Sequence, residues 1–357
     1  MNRDFNEIVK RYSARVNEEI EKFLRKYLEE VEGSIRRKYY EVLIEYVRAG
    51  GKRLRPISLI MAYKGLGGKK EDIFLASLSV EFLHNSSLAH DDIMDDSETR
   101  RGEPALHVRF RSWSSGPKMV KIGESLGILG GNTLFELGLE SLISSGFNEK
   151  KVVEASRIYV EAYRKLIEGQ VLDLTMEERE IPSEEEYLEM IDLKTGALFN
   201  CSLQIGAILA GAGKREREAL EEYAVNLARA FQITDDILGV FGEEEVTGKS
   251  TVSDIVEGKK TILVINAIKN LSEDEINKFM SILGNKDASI EEINLVKDMM
   301  RKTGSLEYAE MKAKEFANRA RRLVIESNIL VDEEAKTFFI GLCDFVVKRK
   351  YEKRKGN

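Results

Sequence analysis

An all-α fold, a single large helical bundle, is what this sequence predicts, and three observations carry the prediction. Only four prolines, Pro56, Pro104, Pro117 and Pro182, occur in 357 residues, so few stretches meet the residue that most disrupts a helix interior. Between them apolar residues recur every three to four positions, the period of a helix with one buried face. Helix starts are also legible, as at Ser183-Glu184-Glu185-Glu186, where a capping serine is followed by the glutamate that closes a capping box. A hydrophobic fraction of 43% supplies one large core. The expectation is one domain over residues 1–357, with a short basic tail at about 349–357.

Phe5, Ile8, Val9, Tyr12, Val16, Ile20, Phe23, Leu24, Tyr27 and Leu28 mark an amphipathic stretch running to about Val47, divided near Gly33-Ser34. Gly50-Gly51-Lys52-Arg53-Leu54-Arg55-Pro56 interrupts it. The glycines permit close backbone approach and Pro56 can open a helix, so Lys52 and Arg55 gather at a helix entrance, where backbone N–H groups favour an anion. The next helix, from about Glu71, runs through His84 and His90 into Asp91-Asp92-Ile93-Met94-Asp95, with Asp96 behind. Continued as helix, it places Asp91 and Asp95 at i and i+4 on one face. Two unit charges about 4 Å apart repel by ~1 kcal/mol in water and several times that near a protein, so this face calls for a cation. Oxygen donors without cysteine suit a hard ion such as Mg2+, which shares its shell with water and phosphate oxygens. Arg100 and Arg101 follow, guanidinium forks suited to phosphate.

After Pro104 a charged segment leads through Trp113 to a Ser-Ser-Gly-Pro loop. The helix beyond it carries Gly123, Gly127, Gly130 and Gly131 among apolar residues and can approach its neighbours closely. From Lys150 to Glu180 another helix holds Glu168-Gly169-Gln170-Val171-Leu172-Asp173, with Gln170 and Asp173 at i and i+3 facing a cleft or each other. The helix capped by Ser183 contains Lys194-Thr195-Gly196, where glycine costs roughly 1 kcal/mol relative to alanine and marks a bend. A helix from near Arg215 ends at Phe231-Gln232-Ile233-Thr234-Asp235-Asp236-Ile237-Leu238-Gly239, a second acidic pair. Lys249, Lys259 and Lys260 supply cations after it. The rest reads as three or four more helices, with Ser272, Ser289 and Gly304 near the joints.

Several classes are disfavoured. A net charge of −7 argues against a general nucleic-acid binder, and neither a P-loop nor a strand-linked G-x-G-x-x-G is present. Cys201 and Cys343 lie in apolar helical settings outside any C-x-x-C pair, as reduced core residues. The opening residues lack an apolar signal core and no run of eighteen apolar residues follows, so a cytoplasmic protein is expected. The basic tail would add at most a weak attraction to anionic lipid.

Two acidic motifs, each followed by cations, can face each other across a helical bundle and hold metal ions against a diphosphate ester. With them the chain resembles the trans-isoprenyl diphosphate synthases of the polyprenyl synthetase family, whose motifs match from Gly50 through Thr261 in order. The resemblance implies an all-α isoprenoid synthase bundle with a central cavity, normally a homodimer, that condenses isopentenyl diphosphate with allylic prenyl diphosphates. It implies three Mg2+ ions, held by Asp91 and Asp95, with Asp92 shaping the site, and by Asp235 beside Asp236. It assigns Lys52, Arg55, His84 and Arg101 to isopentenyl diphosphate, and Arg100, Lys194, Thr195, Gln232, Lys249 and Lys259 to the allylic diphosphate. Many members carry a third aspartate where this chain has Gly239. In the family a bulky aromatic four or five residues before the first aspartate closes the product tunnel. Here those positions are Ser87 and Ser86, with Leu83 a turn further back, so a product of C20 to C30 is expected unless Phe135 or another residue sets the floor. A class I terpene cyclase and a non-catalytic subunit of a partner synthase are the competing readings.

Overall fold

The structure, a computed structural model, describes residues 3–179, 181–242 and 253–348. Lys249 and the basic tail lie outside the described residues. The chain forms α1 (Arg3–Glu30), α2 (Ser34–Arg48), α3 (Leu54–Gly65), α4 (Ile73–Met94), a small hairpin of β1 (Thr99–Arg100) and β2 (Glu103–Pro104), α5 (Leu106–Arg111), α6 (Met119–Ile143), α7 (Glu149–Glu178) and α8 (Glu184–Ile191). A π turn (Asp192–Gly196) then leads into α9 (Ala197–Ala210), α10 (Lys214–Phe241), α11 (Ser253–Val256), α12 (Ile262–Asn270), α13 (Glu273–Ile282), α14 (Ile290–Lys302), α15 (Ser305–Glu326) and α16 (Glu333–Lys348). This is the expected all-α bundle; the two-residue strands are the only ones among the described residues.

The helices stop where local chemistry stops them. Asn148 caps α7, and Ser183/Glu186, Ser272/Glu275 and Ser289/Glu292 form capping boxes. Gly211, at φ 87°, closes α9 in the left-handed conformation that glycine adopts without strain. Among the described residues five helices follow Thr261 rather than three or four. The extra break falls between α15 and α16, where Asn328 turns at φ 54° and the Asp332 carboxylate accepts the Ala335 N–H at 2.8 Å. Neither residue is glycine or proline, so the break carries little signal in sequence.

The core centres on α9, buried on nearly every face from Ala197 to Leu209. It packs against α3, α7 and α10, while α4 is sandwiched between α3 and α6. Each fully buried Leu, Ile or Phe here contributes roughly 1.5–3 kcal/mol before entropic costs. The glycines of α6 form a seam: a Cβ on Gly127 would meet His107 and Ile93, and one on Gly131 would meet His90 at 2.2 Å. The continuous rod Glu184–Ala210 is long and apolar enough to cross a membrane, but 72% of its most apolar window is buried within the bundle, as befits a core helix. Cys201 and Cys343 are free and buried.

Candidate active site

The C-terminal halves of α4 and α7, the hairpin, the π turn and α10 enclose a cavity of about 730 Å3. Along both α4 and α7 the wall changes character in the same sense. On α4, Ser87 and Leu88 follow His84 and precede Asp91 and Asp95, and on α7, Tyr163, Leu166 and Ile167 precede Asp173 and Glu177. A charged mouth therefore sits above an apolar floor. Tyr163 is the largest residue of that floor, with the ring of Phe135 tilted at 33° behind it at 4.3 Å between centroids.

The first acidic motif divides in two. Asp91 and Asp95 both face the cavity, but α4 ends at Met94, so Asp95 is the C-cap residue, donating its N–H to the Asp91 carbonyl at 2.9 Å. Asp92 is turned the other way. Fully buried and off the cavity wall, it accepts from Arg100 Nε at 2.8 Å, which makes it the anchor for that arginine. Burial alone would raise Asp91, yet Lys194, Arg100 and Lys259 outweigh it and hold the carboxyl below its ordinary value. Burial and the neighbouring Asp91 push Asp95 up to about 6.

The second motif differs, because Asp235 and Asp236 both line the cavity. Asp236 is buried and accepts from Tyr187 Oη at 2.5 Å and Gln232 Nε2 at 2.9 Å. Burial and Asp254 push it up to about 7 against those hydrogen bonds. Gln232 in turn accepts from Thr195 Oγ1 at 2.8 Å, so Thr195, Gln232 and Asp236 form one relay along the wall.

Two sets of cations surround these acids. Lys194 stands on the π turn and donates to Asp91 at 3.2 Å and Asp173 at 2.5 Å. Asp173 is thus engaged by Lys194 and not by Gln170, whose amide reaches Met94 Sδ at 3.7 Å. Lys259 pairs with Glu257 at 2.9 Å, and Asp254, Glu257 and Asp95 overcome its burial to keep it firmly protonated. The other set comes from the glycine loop and hairpin. Arg55 Nη1 lies 3.1 Å from His84 Nε2, and burial beside Arg55 and Arg101 drives the imidazole well below its usual pKa, so it is neutral and accepts. Lys52 lies over the Phe345 ring at 4.1 Å. Between them Arg53 points inward to Glu81, Asn17 and the Val47 carbonyl, pinning the loop from beneath. Gly50 and Gly51, at φ 106° and 129°, are conformations only glycine takes easily, and a Cβ on Gly51 would press on the Arg101 guanidinium at 3.3 Å.

Of the tunnel residues, only Ser87 lies on the cavity wall, its hydroxyl bonded to the His84 carbonyl at 2.8 Å. Ser86 and Leu83 are wholly buried elsewhere, so a side chain enlarged at 86 would press on the core rather than fill the cavity.

Residues 36–300 match the Polyprenyl synthetase family. The chain belongs to that family. A geranylgeranyl diphosphate synthase from Saccharolobus solfataricus is 38% identical over 97% of each chain, and a geranylfarnesyl diphosphate synthase from Aeropyrum pernix is 36% identical over 86% of this chain and 92% of that protein. The crystal structure of geranylgeranyl pyrophosphate synthase from Corynebacterium glutamicum, complexed with isoprenyl diphosphate and magnesium, superposes with a TM-score of 0.88 at 27% identity, covering 95% of this chain and 98% of that one.

Within this polyprenyl synthetase fold the wall also holds Glu177, Tyr187, Asp254 and Lys260, which sequence reasoning did not single out as site residues. Glu177 stands one helical turn beyond Asp173, and burial beside Asp173 raises it to about 7. Its spacing with Gln170 and Asp173 along one helix face was the available signal. Lys260 donates to the Glu177 carbonyl at 3.0 Å, tying the loop after α11 to the end of α7.

Proposed function

We propose that this protein is an all-trans prenyltransferase that joins isopentenyl diphosphate to an allylic diphosphate and releases a prenyl diphosphate of C20 or longer. The observation that carries the reading is that one cavity presents two distinct cation sets and two acidic motifs above an apolar floor. A cyclase needs only one diphosphate pocket, and a non-catalytic subunit has no need to keep both sets of inward-facing acids.

Magnesium fits the residues present. The inward carboxylates Asp91, Asp95 and Asp235 are hard oxygen donors, and no thiol joins them; Mg2+ characteristically takes one or two such groups and completes its shell with water and phosphate. When bound, the metal neutralises the departing diphosphate, stabilising charge that develops as the allylic C–O bond breaks. Three ions are expected, two with Asp91 and Asp95 and one with Asp235. Lys194, Lys259 and Arg100 hold the allylic diphosphate, while Lys52, Arg55 and Arg101 hold that of isopentenyl diphosphate, with neutral His84 orienting Arg55. The isopentenyl double bond then attacks the allylic cation. Thr195 and Gln232 offer the cation partial negative charge without a strong nucleophile. His84 is occupied by Arg55, so the departed diphosphate is the acceptor for the proton lost as the new double bond forms.

The reading includes a homodimer. α6 and α7 expose Leu129, Val153, Val160 and Val171, each at least half accessible, an apolar face that continues into the cavity through Ile167 and Val171. A second copy covering it would bury this face and close the cavity wall. Burial of the apolar rod Glu184–Ala210 within the bundle supports its being a core helix rather than a membrane span, and the reading keeps the cytoplasm as the expected compartment.

The test is product analysis of the purified protein with labelled isopentenyl diphosphate and C5, C10, C15 or C20 allylic starters. Prenyl diphosphates of C20 to C30 are expected. Hydrocarbon released from an allylic diphosphate alone would establish a cyclase, and turnover only after a partner is added would establish a subunit.

A further inference from the structure

Helix α10 carries Asp235 and, four residues on, Gly239, positions that share one helical face. An aspartate at 239 would stand beside Asp235 at the mouth. The space is already taken. A Cβ built on Gly239 would lie 2.1 Å from Asp254 Oδ2, 2.6 Å from its Cγ and 3.0 Å from Oδ1, so the carboxylate of Asp254 occupies the volume that a side chain at 239 would fill. Both residues line the cavity with Asp235.

Asp254 is held there by its backbone. Its carbonyl accepts the Lys259 N–H at 2.9 Å, and the neighbouring Ile255 is buried, its carbonyl taking the N–H groups of Gly258 at 3.2 Å and Gly284 at 2.8 Å. Gly258 sits at φ 79°, where a Cβ would meet the Gly284 backbone at 3.0 Å. The two glycines let this segment press against the end of α13, fixing the reach of Asp254 toward α10.

We infer that Asp254 supplies, from the segment after α10, the carboxylate that the second acidic motif lacks at Gly239, and that it joins Asp235 in holding magnesium directly or through one bound water. The inference rests on the magnesium diphosphate reading of the cavity. Gly239 is then a required gap: the motif is completed in space by a residue fifteen positions downstream in the chain.

Mn2+ binding in the presence of inorganic pyrophosphate, followed by electron paramagnetic resonance, tests this without turnover. Wild type is expected to bind Mn2+, and Asp254→Asn to lose one ion or weaken its binding at least ~10-fold, within the range set by loss of a metal-site partner. Gly239→Ala, which keeps Asp254 but drives its carboxylate aside, is expected to weaken the same ion and provides the test if Asp254→Asn does not fold. Gly239→Asp in an Asp254→Ala background is expected to recover binding, because the carboxylate returns on α10. Unchanged Mn2+ binding in folded Asp254→Asn, with only pyrophosphate affinity reduced, would overturn the inference and leave Asp254 as a partner of Lys259. Failure of wild type itself to bind Mn2+ with pyrophosphate would instead overturn the magnesium reading beneath it.

Discussion

Each acidic pair spends its two aspartates differently. Successive residues on a helix are rotated by about 100°, so Asp91 faces the cavity and Asp92 does not, whereas Asp235 and Asp236 both reach the wall, Asp236 with its carboxylate taken by Tyr187 and Gln232. The sequence displays the pairs but not which member is engaged by a neighbouring side chain, because that choice is made by Arg100 at Asp92 and Tyr187 at Asp236, partners carried on other elements. The two cation sets make a sharp expectation. Lys52→Ala and Arg101→Ala each remove a charge-assisted contact of roughly 1.5–3 kcal/mol, so both should raise KM for isopentenyl diphosphate more than for the allylic partner. Steady-state kinetics with each substrate varied in turn checks this, and equal effects would mean the pockets are exchanged. Product length belongs to the same scale. Ser87→Phe should fill the cavity and shorten products toward C15, and Tyr163→Ala should open the floor and lengthen them. Chromatography of dephosphorylated products reads both, and unchanged distributions in active variants would place the floor elsewhere.

Among the elements, the π turn shows how close packing and chemistry meet. A Cβ on Gly169 of α7 would lie 2.4 Å from the Lys194 N and 2.8 Å from its Cα, so the backbone carrying Lys194 rests directly on this glycine. Gly169→Ala should lower Tm by an amount equivalent to about 1–3 kcal/mol or more and reduce turnover through the displaced lysine. Gly196, at φ −67° and ψ −40°, has only ordinary contacts, and Gly196→Ala should be neutral or stabilise by up to ~1 kcal/mol. Calorimetry separates them. The bend was legible, since Gly196 interrupts an apolar stretch, whereas the partner glycine at 169 was visible only as a residue in a polar motif. The hairpin was not legible: its turn uses Arg101 at φ 57° before Gly102, and arginine is no usual signal for that conformation. Helix starts were. At α13, Glu275 accepts from Lys302 and from Ser272 and is held down at about 2, compared with 4.5 for an ordinary glutamate. A depressed folded pKa means its contribution is present above about 4.5 and lost as pH falls through about 2. Glu275→Gln should therefore lower Tm at neutral pH, with the difference from wild type vanishing as the pH is taken down through that window.

For the whole molecule, helical periodicity and scarce proline were enough to give the bundle, and paired acids followed by basic residues pointed to the carboxylates and cations that line its mouth. The exposed valines and leucine of α6 and α7 were not readable as a surface, because a helix that meets another copy carries the same apolar stripe as one that meets its own core. Val160→Asp, placing a charge on that face, should convert a dimer to monomers, measured by light scattering after gel filtration; an unchanged mass would remove this face from the interface. The cross-brace of Lys194 between Asp91 and Asp173 has a further consequence. A protein that brings its own counter-ion needs none from solution, so a dication arriving alone must compete with a tethered lysine. A polyanion arriving with the dication gives that lysine somewhere else to go. On the magnesium diphosphate reading, metal and diphosphate affinities are thermodynamically linked, each strengthening the other by the same factor, and at scarce free Mg2+ the substrate would decide when the site fills.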